Sequence, residues 1–131
     1  MGFFKKISNA LWSEQTTGSN QDIWQRVASE EDVEQILSAS NSRSQIVFKH
    51  SSSCGVSFFA KRNLDTPEIL ENNDIDLHLI DVIRERSTSL SFAEKVGIRH
   101  ESPQIFVLKN GEVQWHGSHA SVNAKNVLSN I

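Results

Sequence analysis

The chain has 131 residues and a net charge of −3, with 37% hydrophobic and 22% charged residues. This balance is typical of one globular domain, and the lack of a basic excess argues against nucleic acid or anionic lipid as a partner. Cys54 is the only cysteine in the sequence, which excludes an internal disulfide and favours a reducing compartment.

Residues 1–21 predict a short helix followed by a polar linker. Aromatic and aliphatic residues at 3–12 fall partly on one side of a helix, and residues 13–20 are polar and rich in turn formers. No apolar run here is long enough for a signal peptide or a membrane span. We therefore expect a cytoplasmic protein whose single folded domain covers residues 22–131.

The domain is predicted to open with a strand, a helix and a second strand. Residues 23–27 alternate apolar and polar side chains, and Ser29 before three acidic residues predicts the N-cap of a helix. Residues 45–50 carry an apolar run between serine-rich loops, which indicates a central strand covered on both faces. This strand ends shortly before Cys54.

The cysteine lies at the predicted start of the next helix. Apolar residues recur at near-helical spacing from residue 56 to residue 64, and Pro67 marks where this helix breaks or bends. Residues 75–83 alternate and are rich in β-branched side chains, which predicts a second central strand. A strand, a helix and a strand in this order imply parallel pairing around Cys54.

The last third of the chain predicts a helix, a hairpin and a final helical segment. Serines and Thr88 can cap a helix that ends at Gly97, and a loop then precedes the hairpin. Asn110-Gly111 lies between two apolar runs, which is a strong signal for antiparallel strands joined by a tight turn. Apolar residues within 118–131 would cover one face of the sheet.

This order of elements resembles the thioredoxin fold over about residues 22 to 131. The resemblance implies an α/β fold in which helices flank a central mixed sheet of four to five strands. A thiol at the start of the cysteine helix would face unpaired backbone N–H groups and the positive end of the helix dipole, which both favour the thiolate. We therefore predict that Cys54 is a nucleophile; the alternative is a buried, inert cysteine.

The residues after Cys54 and the proline before the hairpin indicate how the thiol would act. In the motif Cys-Gly-Val-Ser, residues 54–57, a serine stands where a dithiol redox protein has its resolving cysteine. Attack on a disulfide would then end as a mixed disulfide, and release would require an outside thiol. In thioredoxin-like proteins the proline before the hairpin is cis and lies opposite the cysteine, so the resemblance assigns Ser102 and Pro103 to the substrate-binding edge.

The chain also resembles the monothiol bacilliredoxin family. The resemblance rests on Phe-Lys-His-Ser-Ser-Ser-Cys (48–54), Arg-His-Glu-Ser-Pro-Gln (99–104), Lys-Asn-Gly-Glu-Val (109–113) and Trp-His-Gly-Ser-His (115–119). Members of this family are thioredoxin-like proteins that take bacillithiol, a glucosamine-malate thiol, from cysteines of other proteins onto their own single cysteine. The chain departs from the family pattern at Gly55, where proline is usual, and at Ala120, where tryptophan is usual.

The resemblance implies a monothiol thiol–disulfide exchange enzyme that removes bacillithiol from protein mixed disulfides. Its partners would be protein mixed disulfides and a small thiol, with bacillithiol as co-substrate, and it would act as a monomer without a metal. Cys54 would be the catalytic nucleophile, and the amides of Val56 and Ser57 would hold its thiolate. The predicted substrate-binding residues are Ser53, Gly55, Val56, Ser57, Ser102, Pro103, His50 and His100.

Several other polar residues admit both a functional and an ordinary interpretation. Four basic side chains could pair with the carboxylates of an anionic thiol or simply form solvated surface, namely Lys49, Lys61, Arg62 and Arg99. His116 and His119 together with Cys54 would give too few organised ligands for zinc.

Two further function classes stay open at this level. The Cys-Gly-Val-Ser motif also resembles the Cys-Gly-Phe-Ser of monothiol glutaredoxins, which share an iron–sulfur cluster between two subunits with glutathione as co-ligand. The chain lacks the Gly-Gly-Cys-Asp segment that follows the hairpin in those glutaredoxins. A thioredoxin-fold interaction module with an inert cysteine is the third class, and its thiol would be alkylated slowly.

Overall fold

The computed structural model describes residues 23–131, and the helix and linker predicted for residues 1–21 lie outside the described residues. In the described part the elements follow in this order: β1 (Gln25–Arg26), α1 (Glu30–Ala39), β2 (Ser44–His50), α2 (Gly55–Leu64), α3 (Pro67–Leu70), β3 (Ile75–Asp81), α4 (Arg86–Val96), β4 (Gln104–Lys109), β5 (Glu112–Ser118), a 3₁₀ turn (His119–Ser121) and α5 (Ala124–Leu128). The domain boundary at residue 22 stays a prediction.

The strands form one mixed sheet in the order β1-β3-β2-β4-β5. β1 and β2 pair parallel with β3, whereas β4 pairs antiparallel with both β2 and β5. Parallel strands joined through helices bring their carboxyl ends to one edge of the sheet, and β2 reaches that edge at His50. The predicted α/β architecture, with helices flanking a mixed sheet of four to five strands, is confirmed.

β2 and β3 are the central strands, as predicted, and helices cover both of their faces. Every residue of β3 is buried, and β2 becomes partly exposed at its last residue, His50. One face carries a core around Phe48 and Leu64, and the other carries a core around Val47 and Phe92. Burial of one such side chain stabilises the fold by about 1.5–3 kcal/mol.

The first strand is shorter than its sequence pattern suggests. β1 covers two residues, whereas the alternation extends over 23–27. Trp24 is nevertheless buried, and its Nε1 donates to Oδ1 of Asp65 at 2.7 Å. Because Asp65 follows the last residue of α2, this bond joins the start of the described chain to the end of the cysteine helix.

The two predicted helix caps have different outcomes. Ser29 caps α1 as predicted, since its Oγ accepts from the backbone N–H of Asp32 at 3.2 Å. The prediction that serines and Thr88 cap α4 is wrong, because this helix begins at Arg86 without a side-chain cap. Thr88 and Ser89 are buried inside the helix, where tertiary contacts occupy their hydroxyl groups.

The remaining turn signals are confirmed. Gly97 ends α4 in the left-handed conformation with φ of 71°, which a glycine adopts without strain. Asn110 and Gly111 have φ of 55° and 81°, the combination that a tight primed hairpin turn requires. In the final segment, Val122 and Val127 are buried against the sheet. No helix of residues 23–131 is long and apolar enough to span a membrane.

Candidate active site

Cys54 lies between the end of β2 and the start of α2, where it is the N-cap residue of the helix. Its backbone N–H donates to the carbonyl of Ser51 at 3.1 Å, and its own carbonyl accepts from Phe58 N–H at 3.0 Å. These two bonds fix the backbone on both sides of the thiol, whereas the side chain is exposed. The alternative of a buried cysteine is therefore wrong, and the thiol is accessible at a helix N-terminus.

Ser57 holds the cysteine helix to the end of β2. Its side chain is completely buried, and its Oγ lies 2.7 Å from Nδ1 of His50 and accepts from Ser51 N–H at 3.0 Å. The ring of His50 also packs on Phe48, with 5.3 Å between the ring centres. The hydroxyl of Ser57 thus faces the protein interior, so the group that this residue can offer to the thiolate is its backbone N–H.

The buried face of α2 begins at Ser57, so only part of the apolar pattern in this helix belongs to the core. Ser57, Ala60 and Leu64 are the buried residues of α2. Val56 and Phe59 belong to the pattern that suggests a helix, but they are 58% and 62% exposed. The first two turns of α2 therefore present apolar side chains to solvent next to Cys54.

The loop before β4 lies at the same end of the sheet as Cys54. Lys49 pairs with Gln104 across β2 and β4, which places the residues before Gln104 beside the end of β2. The Ser102–Pro103 peptide bond is cis, as the resemblance implies. Pro103 is buried, and its carbonyl accepts from His119 N–H at 3.0 Å.

Buried Gln104 holds this loop in place from inside. Its Oε1 accepts from Glu101 N–H at 3.0 Å, and its Nε2 donates to the carbonyl of Arg99 at 3.1 Å. Gln104 belongs to the segment 99–104 that carries the family resemblance, but the sequence assigned it no role, because an uncharged amide in a strand carries no chemical signal on its own. The loop from 99 to 102 is therefore anchored at both of its ends.

Glu101 adds a negative charge to the exposed side of the loop. A hydrogen bond from the side chain of Ser118 lowers the pKa of Glu101, and the nearby His119, Arg99 and His116 lower it further against the opposing effect of burial. His119 Nδ1 lies 3.8 Å from its carboxylate. Among the described residues, no group of three or more His, Cys, Asp or Glu side chains could hold a metal ion.

Lys49 does not reach solvent, so the expectation that it could meet a carboxylate of the thiol is wrong. It is completely buried, and its Nζ donates to the carbonyl of Ser89 and to Nδ1 of His100, each at 3.0 Å. Burial lowers the pKa of Lys49 to about 8. The physical reason is the register of β2, whose odd-numbered side chains point into the core that Phe92 occupies.

His100 accepts the hydrogen bond from buried Lys49. It lies in the proline loop, residues 99–103, which precedes β4. Burial lowers the pKa of His100, the positive charges of Lys49 and Arg86 lower it further, and Glu101 acts in the opposite direction. The ring is therefore neutral at neutral pH. The structure brings His50 to the cysteine helix and His100 to the proline loop, on two sides of the carboxyl end of β2.

Together, the fold and the site define a class of protein. A solved structure described as having a thioredoxin fold matches with a TM-score of 0.73 and 28% identity, over 82% of this chain and 93% of that one. Thioredoxin of Fasciola hepatica matches at 0.63 with 15% identity, over 82% and 99% of the two chains. Thioredoxin of Malassezia sympodialis matches at 0.61 with 18% identity, over 83% and 88%. The protein is a thioredoxin-fold redox protein with thiol chemistry.

The family follows from the sequence match. Residues 25–127 match the family model of the monothiol bacilliredoxin BrxC. The chain therefore belongs to the monothiol bacilliredoxin family, which confirms the resemblance found in the sequence. The weaker resemblance to monothiol glutaredoxins stays a prediction.

Proposed function

We propose that the protein removes a low-molecular-weight thiol, bacillithiol, from mixed disulfides of other proteins. The observation that carries this proposal is an exposed Cys54 at the N-cap of α2 with a buried serine, Ser57, at the position of a resolving cysteine. A thiol in this setting can attack a disulfide but cannot form an internal one. Membership of the bacilliredoxin family supports bacillithiol as the thiol that is moved.

The reaction would proceed in two exchange steps. In the first, the Cys54 thiolate attacks the bacillithiol sulfur of the protein mixed disulfide, a Cys54–bacillithiol disulfide forms, and the target cysteine leaves as a thiolate that takes a proton from water. In the second, the thiolate of another bacillithiol molecule attacks this adduct. Bacillithiol disulfide leaves, and Cys54 returns to the thiolate. A second small thiol is thus the only reductant required.

The residues around the thiol would have two roles, stabilisation of the thiolate and binding of the substrate. The backbone N–H groups of the first turn, including those of Val56 and Ser57, would stabilise the thiolate before attack and when it is released. Ser102 and Pro103 would bind the target along its backbone, in the manner of an added strand. Ser53, Gly55, His50 and His100 complete the proposed substrate-binding set.

We further propose that the protein works as a monomer in a reducing compartment such as the cytoplasm. A single accessible thiol persists in the reduced state there, and the low-molecular-weight thiol of the second step is abundant. No metal or prosthetic group takes part in either step of the proposed reaction.

The proposal is tested by mass spectrometry of the intact chain. Reduced protein is mixed with a bacillithiolated target and, separately, with the same target in glutathionylated form. We expect the bacillithiol mass to move onto Cys54 and the target to be recovered as a free thiol, while Cys54→Ser takes up neither adduct. Transfer of glutathione in preference to bacillithiol, or no transfer at all, would contradict the proposed substrate.

A further inference from the structure

Lys49 is completely buried near the carboxyl end of the central strand β2. Its Nζ lies 5.7 Å from the centre of the Phe92 ring and 5.8 Å from that of the Phe106 ring. Burial of an ammonium group opposes folding unless it finds partners, and an apolar side chain of similar length could fill the same space. Packing alone therefore does not explain a lysine at this position.

The ammonium group of Lys49 determines how the ring of His100 is held. An ammonium has donors and no acceptor, so its contact with Nδ1 makes that nitrogen the acceptor and leaves the ring proton on Nε2. The hydroxyl of Ser89, 3.3 Å from the same Nδ1, contacts this side of the ring as well. Buried contacts thus set both the orientation and the tautomer of His100.

The other ring nitrogen of His100 faces away from these contacts. The ring is partly exposed, and Nε2 has no hydrogen-bond partner among residues 23–131. The ring belongs to the loop that precedes Pro103, and the charge of Arg86 acts on it. An N–H donor near an arginine suits an anionic group such as a carboxylate.

We propose that Lys49 is a positioning residue, which aims the Nε2–H of His100 at a carboxylate of the small-thiol half of the mixed disulfide beside Pro103. Lys49 does not touch the substrate and acts through His100. The inference rests on the proposed function, because that function supplies the mixed disulfide. It adds a specificity element for anionic thiols on the loop before β4, at the same end of the sheet as Cys54.

The first test is independent of any substrate. Nitrogen-15 NMR of the imidazole rings in the full chain reports which ring nitrogen carries the proton. We expect His100 to show a protonated Nε2 and an Nδ1 shifted by hydrogen bonding, and Lys49→Met to lose the Nδ1 shift. Ser89→Ala, which keeps the lysine, is the matched control and is expected to retain the shift. A proton on Nδ1 in the native chain, or an unchanged Nδ1 in Lys49→Met, would overturn the proposal.

The second test separates a positioning role from a structural one. A target protein is modified either with mercaptosuccinate, which is anionic, or with 2-mercaptoethanol, which is neutral, and transfer to Cys54 is followed for both. Loss of one hydrogen bond to a charged group corresponds to about tenfold or more in binding. We expect Lys49→Met to raise KM about tenfold for the anionic substrate, with kcat unchanged, and to leave the neutral substrate as in the native chain. His100→Gln is expected to lose the preference for the anionic substrate as well.

The outcomes of the second test are distinguishable. An equal rise in KM for both substrates in Lys49→Met would mean that the lysine supports the fold only and would overturn the proposal. A lowered thermal midpoint together with a lowered kcat would mean the same. The double variant combines Lys49→Met and His100→Gln. If its KM for the anionic substrate rises by the product of the two single rises, Lys49 does not act through His100. If the native chain accepts neither substrate and also takes no bacillithiol from a bacillithiolated target, the proposed function fails, and the NMR result still decides whether Lys49 positions His100.

Discussion

His50 and Ser57 are joined by a hydrogen bond of 2.7 Å between Nδ1 and Oγ, which connects the last residue of β2 to the first turn of α2. The loop between them carries Cys54. Because Ser57 also accepts from Ser51 N–H, the loop is closed by two bonds to one hydroxyl group. The position of the thiol is therefore set by a buried serine and does not depend on the cysteine side chain.

Removal of this hydroxyl is expected to destabilise the protein. In Ser57→Ala, the partly buried N–H of Ser51 and the ring of His50 lose their shared partner, which costs about 1–3 kcal/mol of the free energy of unfolding. Urea denaturation measures this change. Ser53→Ala is the control, since Ser53 is exposed, and it is expected to leave the stability unchanged. Equal stabilities for the two variants would contradict the anchoring role of Ser57.

A cysteine in place of Ser57 is expected to convert the one-thiol site into a two-thiol site. In Ser57→Cys, the new thiolate would attack Sγ of Cys54 in the adduct, release the small thiol and leave an internal disulfide. Intact mass spectrometry would show the adduct being replaced by a species two hydrogens lighter than the reduced chain. Persistence of the adduct, as expected for the native chain, would mean that position 57 cannot reach the cysteine.

Lys49 is expected to make the stability of the protein depend on pH in the alkaline range. Its pKa is about 8 in the folded chain and 10.5 in the unfolded chain, so between these values the unfolded chain binds more protons and the free energy of unfolding rises with pH. The full rise corresponds to about 3 kcal/mol. Lys49→Met lacks this contribution and is expected to be the more stable protein below pH 8. Urea denaturation of both proteins across this range measures the difference, and parallel curves would contradict the prediction.

The titration of His100 is expected to respond to its two charged neighbours with opposite signs. Lys49→Met removes a positive charge that opposes protonation, so the pKa of His100 is expected to rise. Glu101→Gln removes a negative charge that favours protonation, so the pKa of His100 is expected to fall. NMR titration of the imidazole measures both shifts. An unchanged pKa in both variants would show that burial alone determines it.

Two phenylalanines provide a matched test of which side chains stabilise the fold. Phe92 is completely buried between α4 and the sheet, whereas Phe59 is 62% exposed on α2. Truncation of a buried phenylalanine costs about 3–5 kcal/mol, and truncation at an exposed site usually costs less than about 0.5 kcal/mol. Urea denaturation of Phe92→Ala and Phe59→Ala is expected to reproduce this contrast. A large loss in Phe59→Ala would mean that another part of the chain covers this side chain.

Local sequence signals predicted most of the fold correctly. The N-cap at Ser29, the left-handed glycine at Gly97 and the Asn110-Gly111 turn depend on the backbone preferences of a few adjacent residues. The capping signal was wrong at Thr88, because its hydroxyl donates to the carbonyl of Ala28, which lies 60 residues away in the sequence. Such contacts are absent from any short window of the sequence.

The sequence by itself determined the position of the thiol, because a strand end, a polar loop and a helix start are local features, and they place Cys54 at the helix N-terminus. Only the tertiary structure decided that Lys49 is buried and joined to His100, 51 residues further along the chain. The physical reason is the sheet topology. Antiparallel pairing of β4 with β2 brings the proline loop to the end of β2, and the pleat turns Lys49 inward to meet it.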